Sequence, residues 1–345
     1  MTTAYFCLHE ETGRKFHFPQ AMSLRTDRIS KRFDDKWVLR DVSVDVAPGE
    51  ILALFGPSGA GKTTFIKIVT GSEDCNGGNI FHGENDVTKL ACYDRKFHFP
   101  SLTNESIWRN LFKTNKSSQL ADGVGQGLAV DNALTAADGV VLLDNSFCDM
   151  DKQMRLAKFE RVRNIVKQKD LSVVYACNDY DDVFALADRV AVIVDGEIRQ
   201  TGTPQQIYDT PNSVAVARLV GRNNLFDARR LTSSKAEMPE FQTIDGSHRV
   251  FTQKASINSL GAINKNATLA IRPENISISF GASFPEDNLL KAKVIKIMPQ
   301  GATTLITLNC SGLSLDVLVL RLVGLNVGDE CMLGLPPDRI MVLRN

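Results

Sequence analysis

Nine consecutive residues, Gly56-Pro57-Ser58-Gly59-Ala60-Gly61-Lys62-Thr63-Thr64, carry the chemistry of phosphate binding. They fit the spacing G-x-x-x-x-G-K-[ST]. In that pattern the glycines let successive backbone N–H groups curl around a β-phosphate, and the N-terminus of the following helix adds its partial positive charge. Lys62 is then placed to reach the β- and γ-phosphates of a triphosphate, and the Thr63 hydroxyl to ligate Mg²⁺. The flanks supply the context this spacing needs: an apolar run, Ile51 to Phe55, precedes it, and a helical stretch, Thr64 to Thr70, follows.

These groups need a rigid frame, and the surrounding sequence predicts one. From Leu24 to about Gly221, apolar runs alternate with helical periodicity. Ile51–Phe55, Val140–Leu143, Val173–Cys177 and Val190–Val194 read as buried parallel strands, and Asp151–Lys169 as a helix with Met154, Phe159, Val162 and Val166 on one face. The expected fold is a wound α/β P-loop nucleotide-binding domain. From about Arg249 the texture changes to alternating strands, namely His248–Gln253, Leu269–Ser279, Leu290–Ile297, Thr303–Asn309, Leu313–Leu322 and Glu330–Leu335. They predict a C-terminal small all-β domain, a barrel or sandwich that is OB-like in size. Its strands carry few aromatics for base stacking, which speaks against an oligonucleotide-binding barrel. The expected organisation is an N-terminal extension over 1–21, the nucleotide-binding domain over 22–227, a polar linker over 228–240 and the β domain over 241–345.

Composition narrows the function classes. Forty Lys and Arg against forty Asp and Glu leave no net charge, so no global field would hold a nucleic acid or an anionic membrane. Seven scattered cysteines with no C-x-x-C pair argue for reduced thiols and against a zinc site. The most apolar stretch, Leu313 to Leu325, is interrupted by Asp316 and Arg321, so the expectation is a cytoplasmic chain that neither spans a membrane nor is exported. The hexapeptide Arg14-Lys15-Phe16-His17-Phe18-Pro19 recurs without change as Arg95-Lys96-Phe97-His98-Phe99-Pro100.

From about Leu24 to its end the chain resembles the ATP-binding subunit of an ABC transporter, of the bacterial importer type with a C-terminal TOBE-like domain, as in sulfate, polyamine, iron and maltose uptake. The resemblance rests on Ser30-Lys31-Arg32-Phe33, Val38 to Ser43, the phosphate loop, Val140 to Asp144, Leu186 to Val190, Gly196-Glu197-Ile198, Gly202-Thr203-Pro204 and Ile271-Arg272-Pro273-Glu274. It implies that Phe33 stacks on adenine, the alternative being an ordinary strand-edge phenylalanine. It implies that Ser58 to Thr64 hold the phosphates of ATP, and that Asp144 holds Mg²⁺ together with Thr63. Asp151 falls in the loop that crosses a dimer interface in the family, and it is also a plausible N-cap for the helix after it. For Ile271 to Glu274 a packing role is expected.

The departures lie at the catalytic positions. The glutamate that polarises the attacking water is replaced by Asn145, whose amide accepts no proton at neutral pH, and the switch histidine is replaced by Asn178. General-base assistance is worth roughly 10²–10⁴ in rate. The interval between Asp94 and Thr103, where the family carries a strand and a glutamine, is almost empty. The signature loop reads Leu120-Ala121-Asp122-Gly123-Val124, without the serine hydroxyl, and Asp122 is expected to cap its own helix. The helical subdomain is reduced to one short helix, Glu105 to Lys113 with Asn104 as its cap, so the docking surface for a membrane permease is small.

No residue is therefore assigned as catalytic. The resemblance implies ATP and Mg²⁺ as ligands and a homodimer or heterodimer with another such subunit. It places the chain in the cytoplasm, at the inner face of the membrane where it meets a permease. The expected function is an import subunit that binds Mg-ATP with weak or absent hydrolysis. The alternative is a pseudo-ATPase, a regulatory or assembly module that does not drive transport.

Overall fold

The computed structural model describes residues 23–100, 119–232, 238–252, 260, 262–280, 288–320 and 324–343, with backbone alone over 119–124. Packing divides the chain after Ile207 into two compact units, ahead of the boundary expected at 227.

The first unit opens with β1 (Leu24–Phe33), β2 (Lys36–Val46), β3 (Ile51–Phe55), α1 (Lys62–Thr70), β4 (Gly77–His82) and β5 (Asn85–Asp86). It continues through α2 (Gln119–Ala136), β6 (Val140–Asp144), α3 (Lys152–Lys169), β7 (Ser172–Cys177), α4 (Tyr180–Leu186), β8 (Arg189–Val194) and β9 (Glu197–Gly202). Strands β6-β7-β3-β8 are parallel, in that order, with β9 antiparallel at the edge. The expected parallel strands are thus present. Their nearly unbroken burial follows from having both faces covered.

A second sheet, β2-β1-β4-β5, is antiparallel, and the sequence pattern does not announce it. Phe65, Ile66, Ile68 and Val69 of α1 share one core cluster with Leu24, Ile29, Leu39 and Val42 of this sheet and with Leu52, Leu54, Val174 and Ala176 of the parallel one. Elsewhere in the unit Phe147 meets Phe159 and Tyr175 edge-on, with ring centroids 5.0 and 5.3 Å apart.

Both ends of α1 are tightly specified. The helix begins at Lys62, two residues before the expected start. It stops at Gly71, whose φ of 83° lets its N–H reach back to Ile68 and Lys67. Arg95, only 3% exposed, adds a second cap. Its guanidinium donates to the carbonyls of Ile68, Val69, Leu90 and Thr88 at 2.6–2.9 Å. The second copy of the repeated hexapeptide therefore has a structural role, with Phe97 buried behind Arg95. The interval read as almost empty holds the stub of a strand: His98 forms a one-residue parallel bridge to Val141, donating to Val140 O and accepting from Leu142 N.

Two further expectations change. Leu120 to Val124 lie within α2 and not in a loop before a helix, so Asp122 is not an N-cap. The glycines there are tolerated in a helix that packs on α3, where Lys158 pairs with Asp131 at 2.8 Å and Lys169 caps the α2 terminus through Leu134 O, Thr135 O and Ala137 O. Asp151 is an N-cap, its Oδ1 accepting from Met154 N at 2.8 Å. The helix expected over Glu105 to Lys113, the first hexapeptide copy and the extension over 1–21 lie outside the described residues.

The second unit is all-β apart from short helical turns. One sheet contains Asn224–Arg230, Glu240–Thr243, Arg249–Phe251, Asn266–Ile271 and Met341–Leu343. The other contains Ser277–Ser279, Asn288–Pro299, Thr304–Cys310, Leu313–Val319 and Glu330–Leu335. The strand expected over Leu269–Ser279 is broken by a 3₁₀ turn at Pro273–Asn275, and its halves join different sheets. Residues 224–230, read as the end of the first domain and the start of a linker, pair with Asn266–Ile271.

Buried asparagines tie the two sheets together. Asn224 exchanges hydrogen bonds with the Asp316 backbone at 2.7 and 2.8 Å, and Asn288 joins Phe251 to Leu335. Arg272, 2% exposed, packs as expected. It lies 3.7 Å from the Tyr208 ring centroid and donates to Val220 O, Arg222 O and Tyr208 O. Among the described residues no helix is long and apolar enough to cross a membrane.

Candidate functional site

The carboxyl ends of β6, β7 and β3 lie level, because Asp144 pairs with Ala176 and Phe55 with Cys177. The phosphate loop, Asn145 and Asn178 all leave the sheet at this edge, where open α/β sheets bind ligands. The loop's shape is enforced by neighbours. A Cβ on Gly56 would lie 2.1 Å from Ile193 O, and one on Gly61 would lie 2.6 Å from Leu39 Cδ2 and 2.8 Å from Val38 O. Gly59 and Gly61 also hold φ of 83° and 102°. Ser58, Gly59 and Thr63 are exposed, Thr64 half-buried and Ala60 buried.

Lys62 is buried, and its ammonium donates to Gly56 O at 2.7 Å and Pro57 O at 2.9 Å. Burial pulls this ammonium below the ordinary lysine range, while Cys177 and Asp144 act in the opposite direction. Burial pushes the Cys177 thiol well above its ordinary value.

Asp144 ends β6 beside a cavity of about 190 Å³ also lined by Lys67, Thr70, Phe99, Pro100 and Ser146. Its Oδ1 is buried and accepts no hydrogen bond from the described residues. An acceptor left in that condition is costly unless a cation or a water shell satisfies it. A carboxylate oxygen in that condition is chemically suited to a hard cation such as Mg²⁺, and Thr63, exposed at the first turn of α1, carries a second oxygen of the same kind.

Asn145 and Asn178 line a second cavity of about 200 Å³ with Cys148, Arg155, Tyr175, Cys177, Asp179 and Asp182. Asn145 has a φ of 45°, and its N–H donates to Ala176 O at 2.9 Å. Arg155 pairs with Asp182 at 3.1 Å and reaches Asp179 at 3.9 Å. Asp182 also accepts from the Tyr175 hydroxyl at 3.1 Å, and Asp179 accepts from Asp181 N at 2.9 Å as the cap of α4. Burial pushes the Asp182 carboxyl up, against the pull of Arg155, and it pushes the Tyr175 phenol up as well. Among the described residues no imidazole lines this cavity: His98 faces Asp138 at 3.5 Å, and His82 packs on Phe97.

Phe33 ends β1 and is 43% exposed. Lys31, two residues earlier on the same face, pairs across the hairpin with Leu39, the residue that touches Gly61. The sequence reading missed Arg155, Tyr175 and Asp182. The one signal for them was an acid at a helical position four residues before the apolar Leu186.

The sequence model of the ABC transporter family matches residues 39–111, and that of the TOBE domain matches residues 269–343. The spermidine/putrescine import ATP-binding protein PotA of Clostridioides difficile is 27% identical over 352 residues, covering 92% of this chain and 96% of that protein. The sulfate/thiosulfate import ATP-binding protein CysA of Xanthomonas campestris pv. campestris is 30% identical over 241 residues, covering 59% of this chain and 70% of that protein. A crystal structure of a nucleotide-free ATP-binding cassette from an ABC transporter gives a TM-score of 0.45 at 18% identity, covering 53% of this chain and 91% of that one.

Proposed function

Because the chain belongs to the ABC transporter family, among import ATP-binding proteins with a TOBE domain, we propose that it binds Mg-ATP and turns it over weakly or not at all. The observation that carries this reading is the cavity between β6 and β7, where amides stand at the two positions that should hold a base and a switch imidazole. The two carboxylates of that cavity are engaged elsewhere, Asp182 by Arg155 and Tyr175, and Asp179 by the α4 N-terminus. Neither is free to take a proton from water.

Binding rests on different groups. Ser58 to Thr64 would wrap the phosphates, and Lys62 would exchange the carbonyls of Gly56 and Pro57 for phosphate oxygens. Thr63 and Asp144 would hold Mg²⁺, which when bound neutralises charge on the phosphates. Phe33 would take the adenine. We further infer that the chain pairs with itself or with a relative and acts at a membrane permease. The signature segment, drawn into α2, offers a poor grip on a partner's γ-phosphate.

The test is co-purification of the full chain with its partners, followed by ATP-binding and phosphate-release assays on the chain and on the complex. Binding without release by the chain alone is expected. Release at the rate of an ordinary transport ATPase by the chain alone would refute the assignments of Asn145 and Asn178. Binding without release even beside a permease would favour a regulatory module over a transport motor.

A further inference from the structure

Phe33 is the proposed adenine platform, and any role for its neighbour Lys31 in nucleotide binding rests on that reading. The ring is not held by packing alone. The Lys31 ammonium lies 4.8 Å from its centroid, and Lys31 is only 8% exposed. That ammonium is itself fixed by two short hydrogen bonds, to Glu73 Oε1 at 2.6 Å and to Asp74 O at 2.6 Å, both just beyond the end of α1. The backbone beside it is pinned as well, Arg32 N donating to Asn76 Oδ1 at 2.7 Å. One face of the Phe33 ring is therefore taken by a cation, and 43% of the residue remains exposed for a ligand.

A cation under an aromatic ring draws π density toward itself. The opposite face then repels the π cloud of an incoming purine less, and the ring enters the stack already oriented. We propose that Lys31 is a positioning residue for the nucleotide base: anchored by Glu73 and Asp74, its ammonium holds Phe33 and prepares the free face of the ring for adenine. A lysine whose only task was to pair with Glu73 would have no bearing on which ligand binds. A lysine that acts through Phe33 affects ligands that carry a base and spares those that do not.

The experiment measures affinity of the full chain for ATP and for inorganic triphosphate, by calorimetry, in the parent and four variants. Lys31→Met is expected to weaken ATP about three- to tenfold and to leave triphosphate within about twofold. Lys31→Arg, which keeps the cation, should retain most of the ATP affinity. In a Phe33→Ala background, Lys31→Met should have no further effect on ATP. The inference is overturned if Lys31→Met weakens both ligands alike, leaves ATP unchanged, or acts equally without the ring. Should Phe33→Ala itself leave ATP affinity intact, the platform reading fails first, and that outcome is distinct. If Lys31→Met does not fold, Glu73→Gln loosens the same ammonium: a lower ratio of ATP to triphosphate affinity supports the inference, and an unchanged ratio overturns it.

Discussion

Replacing Asn145 by Glu would give the chain the carboxylate its family expects, and the structure predicts that turnover will not follow. Asn145 sits at φ 45°, immediately after β6, with its N–H bound to Ala176 O. Asparagine visits this left-handed region because its short amide bonds locally, whereas for most side chains it costs about 1–2 kcal/mol. The new carboxylate would also enter a cavity that already holds Asp179 and Asp182 against the single cation Arg155. A further negative charge adds about 2 kcal/mol of repulsion for a separation of about 8 Å, on the scale of such a cavity, at an effective dielectric of about 20. The variant should therefore lose about 1–3 kcal/mol of stability, part of the repulsion being absorbed by a raised glutamate pKa. In a unit of this size that corresponds to a fall in Tm of roughly 2–4 °C per kcal/mol. A rise of about 1.5 in that pKa, for about 2 kcal/mol, leaves the glutamate ionised at neutral pH, but Asn178 still supplies no imidazole and the signature segment is still drawn into α2, so phosphate release should stay within about tenfold of the parent. Asn145→Asp separates the two effects, since aspartate also tolerates the left-handed region and would show the charge repulsion alone. The assay pairs phosphate release from Mg-ATP with thermal unfolding. A hundredfold gain in release, or a variant as stable as the parent, would refute the reasoning.

Lys62→Ala should weaken ATP at least about tenfold, since charge-assisted hydrogen bonds to the phosphates are lost, and an unchanged dissociation constant would contradict the loop assignment. His82 is buried, and burial holds its imidazole down at about 4 against an ordinary 6.5, so protonation favours the unfolded chain. Stability should then be fully present above about pH 6.5 and fall as pH drops toward 4, by at most about 3 kcal/mol from this group, and His82→Phe should flatten urea midpoints across that window. Parallel midpoints for the two proteins would count against it. Arg95→Met should cost at least about 3 kcal/mol by stripping four backbone carbonyls of a charged donor, read as a lower unfolding midpoint, and a loss under about 1 kcal/mol would show that the cap is dispensable.

The sequence is most legible where one chemistry admits few backbones. The spacing around Lys62 needs a strand, a glycine turn and a helix, and those elements stand at Ile51–Phe55 and Lys62–Thr70. Val173 and Val190 begin runs too apolar to lie anywhere but between two covered faces. The antiparallel sheet was hidden because β1 and β2 mix charged and apolar residues around register shifts, which blur a period of two. Leu120 to Val124 misled because the resemblance to the family's signature sets a loop there, while Lys158 and Lys169 reach across from α3 to hold the helix. The cluster of Arg155, Tyr175 and Asp182 depends on contacts between α3, β7 and α4, which no local pattern encodes.

The repeated hexapeptide shows the same limit from the other side. Arg95 acquires its role from the carbonyls at the end of α1, Phe97 from the ring of His82, and His98 from the open edge of β6, so nothing in the six residues themselves announces a cap or a strand. A comparable separation explains how binding can outlast turnover here. The grip on phosphate is built from backbone, and Gly56 and Gly61 are held to that shape by Ile193 O, Val38 O and Leu39, none of which takes part in water activation. Exchanging a glutamate for Asn145 and a histidine for Asn178 leaves those contacts untouched. The loop would have to be lost through its steric neighbours, a different set of positions from those through which hydrolysis is lost.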